Sequence, residues 1–436
     1  MIAAAGCGGS AAPRMQVGVD AAGDAGSDAV GDSAGDRVGA PEAGGDATVD
    51  TEAGEADASV EAGADGHADA HADADGGEGG AGGGDDGGTD GGRPEILVVA
   101  TYLGGISSLR IDPTSGALTP VTSSLDSGGQ LYGVVAHPSG ELVYAADFRG
   151  RIYGYRVNRA DGSLAALPNL PLMIGTHAIT PAIDPQGRFL YVTNTADSLT
   201  NTGDNSLYAY RIAADSGALT PVTNSPFALA ATPTGVCFHP SGAFAYVSSA
   251  ASSATSQGGI RVFSVDPTSG VPSEIAGSPF ATGVFGGALA VHPNGNFLFD
   301  SSFGIHVLSI DPTTHGVQEL SDSPRAGAQS DNQAIDIAVD PLAQYFYASS
   351  NLGTVTAYRL DATTAAFGPV EGSPYSLQGM PYSVAIDPTG RFAYVGNDDA
   401  DQIWAFAIER ATGKLQMIGA PVTVHGLQPE MVFIGP

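Results

Sequence analysis

Val236-Cys-Phe-His-Pro-Ser-Gly-Ala-Phe-Ala-Tyr-Val247 and Val384-Ala-Ile-Asp-Pro-Thr-Gly-Arg-Phe-Ala-Tyr-Val395 are two copies of one unit. Each reads as an apolar strand, a tight turn and an aromatic, β-branched strand. In the turn, proline presets φ and the glycine two positions later supplies φ > 0. Related inner strands end at the same turn in 132–138, 180–185, 235–240, 288–293, 335–341 and 382–388, and only Pro341-Leu-Ala343 lacks the glycine. The histidine or aspartate before each proline is therefore read as part of the turn, not as chemistry.

Outward from this unit, a third strand alternates apolar and polar residues, as in Ile260-Arg-Val-Phe-Ser-Val265 and Ile403-Trp-Ala-Phe-Ala-Ile408. The near-identical hairpins Asp112-Pro-Thr-Ser-Gly116 and Asp266-Pro-Thr-Ser-Gly270 lead to a fourth strand, Leu118-Thr-Pro-Val121 or Leu219-Thr-Pro-Val222. Proline lacks a ladder donor, so the fourth strand lies at a sheet edge. Small repeated sheets must pack on one another, which makes these units propeller blades. Second-to-third strand pairs occur at 96–111, 142–157, 189–212, 244–265, 297–310, 345–360 and 392–408. Six inner strands accompany these seven pairs. Glu430-Met-Val-Phe-Ile-Gly-Pro436 supplies the seventh and closes the blade begun after Glu95. The expectation is an all-β, seven-bladed propeller over residues 93–436, with its ring sealed by N- and C-terminal strands.

Residues 1–92 have no aromatic residue and hold 25 glycines and 20 Asp/Glu against Arg14 and Arg37. Such a segment cannot bury enough apolar surface to offset its ordering, and is expected to be a disordered acidic tether. It carries −18 of the chain's net −31, leaving −13 for the repeats. That balance argues against nucleic acid and anionic membrane partners, which need basic patches. The start, Met1-Ile-Ala-Ala-Ala-Gly-Cys7, resembles the end of a lipoprotein signal, making Cys7 a candidate lipid anchor at a bacterial cell envelope or its exterior. The rest of such a signal is expected upstream of Met1. No run of 18 apolar residues occurs in the sequence. Cys237 reads as a small core hydrophobe.

The repeats resemble the seven-bladed lactonase family, which includes bacterial 6-phosphogluconolactonases and fungal carboxymuconate-lactonizing enzymes. The units Val/Ile-x-x-[His/Asp]-Pro-x-Gly-x-[Phe/Leu]-x-Tyr-Val carry the likeness, and Tyr191-Val-Thr-Asn194 is similar to cell-surface YVTN propellers. The resemblance implies a catalytic arginine and glutamate where this chain has Thr234 and Ala250. It also implies a histidine at the position of Ile179, with His177 two residues earlier.

The same channel-facing position, six residues before each motif proline, is occupied by Tyr132, Ile179, Thr234, Gly287, Ile335, Tyr382 and Glu430. One carboxylate, two phenols and no cation suit a neutral ligand stacked on Tyr132 and Tyr382 better than an anionic sugar lactone. His177 and Glu430 are the candidate catalytic residues. Tyr132, Tyr382, Thr234 and Arg149, the nearest cation, are the candidate ligand-binding ones. The expectation is a monomeric propeller binding a small molecule or protein at its channel face, with lactone hydrolysis at a rearranged site as the alternative. No cofactor or metal is expected. The elbow-like Gly31-Asp-Ser33-Ala-Gly35, the pair His67 and His71, and the loops 194–205 and 397–401 are read as featureless polar sequence.

Overall fold

The computed structural model describes residues 94–435 apart from 126, 197–202, 251–257, 283–285, 302–303, 322, 324–333 and 400. The expected tether, Cys7, His67, His71 and Pro436 lie outside the described residues. Among those described, the chain forms seven antiparallel sheets and no helix. Blade 1 orders its strands, from the edge inward, as Leu118–Leu125, Gly105–Ile111, Glu95–Tyr102 and Leu427–Ile434. The expected closure is thus present, with Ile96 opposite Ile434 and Val98 opposite Val432. Blades 2 to 7 follow at residues 131–173, 177–228, 232–274, 289–319, 334–376 and 381–423. Each inner strand contacts that of the next blade, and Leu427–Ile434 contacts both Pro381–Ile386 and Leu131–Ala136, completing the ring.

Each interface between adjacent blades has its own apolar core. Tyr191, Phe238 and Val247 join blades 3 and 4, for example, and Leu97, Tyr394 and Met431 join blades 7 and 1. Both faces of every sheet are covered in this way, which a single blade could not achieve. Cys237 is fully buried in the core between blades 4 and 5.

The motif's tyrosine has a second task. Tyr144, Tyr191, Tyr347 and Tyr394 each donate a hydroxyl hydrogen bond to a hairpin carbonyl of the following blade, at Gly217, Gly270, Gly413 and Gly116, over 2.6–3.0 Å. The hairpins hold their shape through aspartate. Asp112 Oδ1 accepts from Thr114 N, Ser115 N and Ser115 Oγ, and these bonds hold its carboxyl below the usual range. The His-Pro histidines are structural as expected: His137 bonds Ser139 Oγ and, across the interface, the carbonyl of Gly187. Where the turn glycine is missing, Ala343 takes the left-handed φ of 57° itself.

The outer edge departs from a simple fourth strand. In blades 2, 3, 6 and 7 it is in two pieces that both pair with the third strand, such as Leu219–Pro221 and Phe227–Ala228. In blade 3 the break coincides with Ser225-Pro226, and Ser225 Oγ accepts the third-strand amide of Ala209 at 3.0 Å. Ser278 and Ser373 accept from Val262 and Ala357 in the same way. The hydroxyl satisfies an amide that the turning chain leaves open.

Candidate functional site

In six blades the pairing of inner and second strands slips by one residue near the start of the inner strand. Tyr132, Ile335 and Tyr382 are the extra residues in blades 2, 6 and 7. A bulged residue is left out of the ladder and its side chain is re-aimed, which sets Tyr132, Ile335 and Tyr382 apart, whereas in blade 1 Glu430 stays paired with Ala100 and the slip falls at Gln428 and Pro429. The carbonyls freed there are taken up by the preceding blade. Thr180 Oγ1 donates to Thr234 O (2.7 Å), Ser248 Oγ to Gly287 O (3.1 Å), Ser301 Oγ to Ile335 O (2.8 Å) and Ser349 Oγ to Tyr382 O (3.0 Å). Ser383 Oγ completes the series at Pro429 O.

This belt of hydroxyls fixes a lopsided channel mouth. Blades 7, 1 and 2, consecutive in the closed ring, contribute Tyr382, Glu430 and Tyr132, all buried. The Tyr382 hydroxyl faces Tyr132, toward which it donates, and both phenols lie within the field of the Glu430 carboxylate. Burial, reinforced by Tyr132 and the Glu430 charge, pushes the Tyr382 phenol well above its ordinary pKa. Burial does the same for Tyr132, partly offset by the hydrogen bond from Tyr382, with Glu430, Tyr102 and Asp398 adding to the rise. Both phenols therefore remain protonated donors. Blades 3 to 6 offer only Ile179, Thr234, Gly287 and Ile335 at the equivalent position.

An aromatic arc continues from Tyr132. Its ring meets Tyr102 edge-on at 6.1 Å and Phe148 at 5.5 Å, and Phe148 in turn lies 4.2 Å from the imidazole of His177. His177 is half-buried at the first position of its inner strand, with Nδ1 3.3 Å from the carbonyl of Thr195. A carbonyl can only accept, so Nδ1 is the donor in this contact.

The other sequence candidates are placed differently. Arg149 is exposed, with its guanidinium 3.5 Å from the carbonyl of Gly128. Its neighbour Arg151 is paired with Asp147 at 2.7 Å. Thr234 is buried with its hydroxyl 2.9 Å from Ser248 Oγ, so it belongs to the hydroxyl belt and not to the tyrosine cluster. Asp398 Oδ1, in the loop after Asn397, accepts the amide of Gln428 and pins the closing strand. Among the described residues no group of three or more His, Cys, Asp or Glu side chains is placed to hold a metal ion.

Tyr102 and Phe148 were not singled out as site residues in the sequence, and Asp398 was read only as part of the polar loop 397–401. Phe148 and Asp398 occupy equivalent positions just after second strands, opposite the inner-strand starts. Extending the repeat alignment one residue past each second strand would have found them.

The closed ring of seven antiparallel blades, sealed by the first and last strands, defines a seven-bladed propeller with a polar cluster at the start of its inner strands. The chain belongs to the family described as lactonase, 7-bladed beta-propeller, whose profile matches residues 181–282 and 289–432. A 6-phosphogluconolactonase of Formosa agariphila is 27% identical over 108 residues, which span 24% of this chain and 30% of that relative. Among solved structures, a putative 6-phosphogluconolactonase from Bacteroides uniformis superposes with a TM-score of 0.62 at 20% identity, over 78% of this chain and 100% of that one. The periplasmic gluconolactonase of Pseudomonas aeruginosa gives 0.62 at 18% identity, over 78% and 99%. At these identities the two structures attest the fold.

Proposed function

We propose that this propeller hydrolyses an uncharged lactone at the mouth formed by Tyr132, Tyr382 and Glu430. The observation that carries this reading is the convergence of a buried carboxylate, Glu430, with two buried phenols that face one another and stay protonated. Glu430 takes a proton from water as its oxygen attacks the lactone carbonyl carbon. The phenol hydroxyls of Tyr382 and Tyr132 donate to the oxyanion that develops. When the ring C–O bond breaks, the leaving oxygen takes the proton that Glu430 removed from water, which restores the carboxylate and releases a hydroxy acid. His177 Nε2, at the edge of the same arc, is the second group able to carry a proton.

The absence of an arginine at Thr234 argues against a phosphorylated substrate, because no guanidinium is supplied there to hold a phosphate. A second reading, binding without turnover, is favoured by the same replacement together with Ala250 in place of the family's glutamate. The two separate in one experiment: the protein is offered a panel of neutral lactones and 6-phosphogluconolactone, with binding by calorimetry and ring opening by acid release. Hydrolysis of a neutral lactone that is lost in Glu430→Gln supports the enzyme. Binding with release at the uncatalysed rate supports the binding module, and efficient turnover of the phosphorylated lactone overturns the assignment of charge. We further propose that Cys7 carries a lipid that holds the protein at the cell envelope. Release of Cys7→Ala from the membrane fraction tests this.

A further inference from the structure

Resting on that reading, we propose that the lactone carries an apolar alkyl tail, held along the rim of blades 1 and 2 beside the tyrosine cluster. Two large aliphatic side chains stand exposed on this rim. Leu103 is 63% exposed and Leu427 is 42% exposed, next to Tyr102, with which Leu427 pairs across the closing strands. Tyr102 and Phe148 are half-buried and both rings contact Tyr132, so aromatic side chains lead from the proposed reaction centre toward solvent. The backbone ties the arc together, since Gln130 bridges Tyr102 and its carbonyl accepts the amide of Phe148 at 2.8 Å.

Leu103 is the telling residue. It adopts φ of 82°, a left-handed conformation that a branched L side chain reaches only under strain. The loop cannot relax: a Cβ on the adjacent Gly104 would stand 1.8 Å from the carbonyl oxygen of His425, so blade 1 is pressed against the preceding connection. The leucine is thus held out to solvent, where it gains nothing for folding, although glycine or asparagine would fit the backbone more easily. A strained, exposed leucine at the lip of an aromatic cluster fits a surface for an apolar group. A polyhydroxylated sugar would instead need polar partners there. The patch is a few side chains wide and continuous with Tyr132, which suits the tail of the same small molecule.

The test uses the full chain and lactones of one ring size bearing tails of zero to eight carbons, read as Kd and kcat/KM. Affinity is expected to rise about twofold per added methylene on this half-open rim, where full burial would give about fourfold. The series should flatten in the double variant Leu103→Asn with Leu427→Thr, whose unsubstituted lactone is bound and opened as before. Leu103→Gly serves as a second variant if the double one melts early. A flat series in the unaltered protein, with the small lactone still hydrolysed, overturns the alkyl tail and leaves the lactonase reading standing. A series equally steep in the variants also overturns it, because the tail then lies elsewhere. If no lactone of any length is bound or opened, the lactonase reading itself fails and this inference with it.

Discussion

The hydroxyl of Tyr394 donates to the carbonyl oxygen of Gly116 across 2.8 Å, tying blade 7 to blade 1 between residues 278 positions apart. Blades 2, 3 and 6 make the same link to their successors, whereas the equivalent hydroxyl of blade 4, on Tyr246, is buried without a partner among the described residues. The blade 5 hairpin it would reach has His315 at the left-handed position, φ 59°, where the four bonded hairpins have a glycine.

The two tyrosines should therefore respond oppositely to loss of the hydroxyl. Tyr394→Phe leaves the Gly116 carbonyl buried and unmet, costing about 1–3 kcal/mol. Tyr246→Phe removes an unsatisfied polar atom and should leave stability unchanged or higher. Urea denaturation of the two variants checks this, and equal losses would contradict the latch.

Ala343 pays for a conformation that glycine supplies elsewhere in the repeat. Ala343→Gly is expected to stabilise the propeller by about 1 kcal/mol, since left-handed φ penalises any Cβ. Calorimetric melting shows it as a higher midpoint.

Ring closure depends on Leu427–Ile434 pairing with Glu95–Tyr102. Deleting residues 427–436 exposes the inner edge of blade 1 and opens two interfaces at once, so cooperative melting should be lost. Deleting residues 1–92 should leave the midpoint near that of the full chain. A sharp transition surviving the C-terminal deletion would sink the closure argument.

Glu95 gives a pH dependence with a definite sign. It is buried, Oε1 has no partner among the described residues, and burial followed by the Asp387 charge pushes its carboxyl up to about 7 from 4.5. The unfolded chain ionises first, so this residue's contribution is fully favourable below about pH 4.5 and is lost as pH rises to about 7. Glu95→Gln should melt higher than the unaltered protein at pH 8, by about 2 °C, with the difference shrinking toward pH 4. Midpoints recorded across that range decide it.

At the proposed site, Glu430→Gln should lower kcat on a neutral lactone about 10²–10⁴-fold through loss of the base. Tyr382→Phe should lower it about 10²-fold through loss of an oxyanion donor. Steady-state kinetics distinguish these from a binding effect: a change confined to KM would remove either residue from the chemistry.

The period of the blades, their number and the closing strand were all legible in the sequence, because they rest on local chemistry: Pro-x-Gly turns, alternation of apolar residues, and proline at an edge. Register counting from the motif proline also singled out Tyr132, Tyr382 and Glu430. What the sequence could not supply is their meeting. Tyr382 and Tyr132 flank Glu430 only because the ring closes blade 7 against blade 1 and blade 1 against blade 2, a relation between residues far apart in the chain. The same holds for Thr234, which period and position class with the tyrosines but which the interlocking hydroxyls of Thr180 and Ser248 draw into the inter-blade belt. It holds too for His177, brought to the arc by the ring of Phe148. Strand period is decided within a few residues. Which side chains share a cavity is decided by bulges and blade packing, whose energies depend on contacts that exist only once the ring is complete.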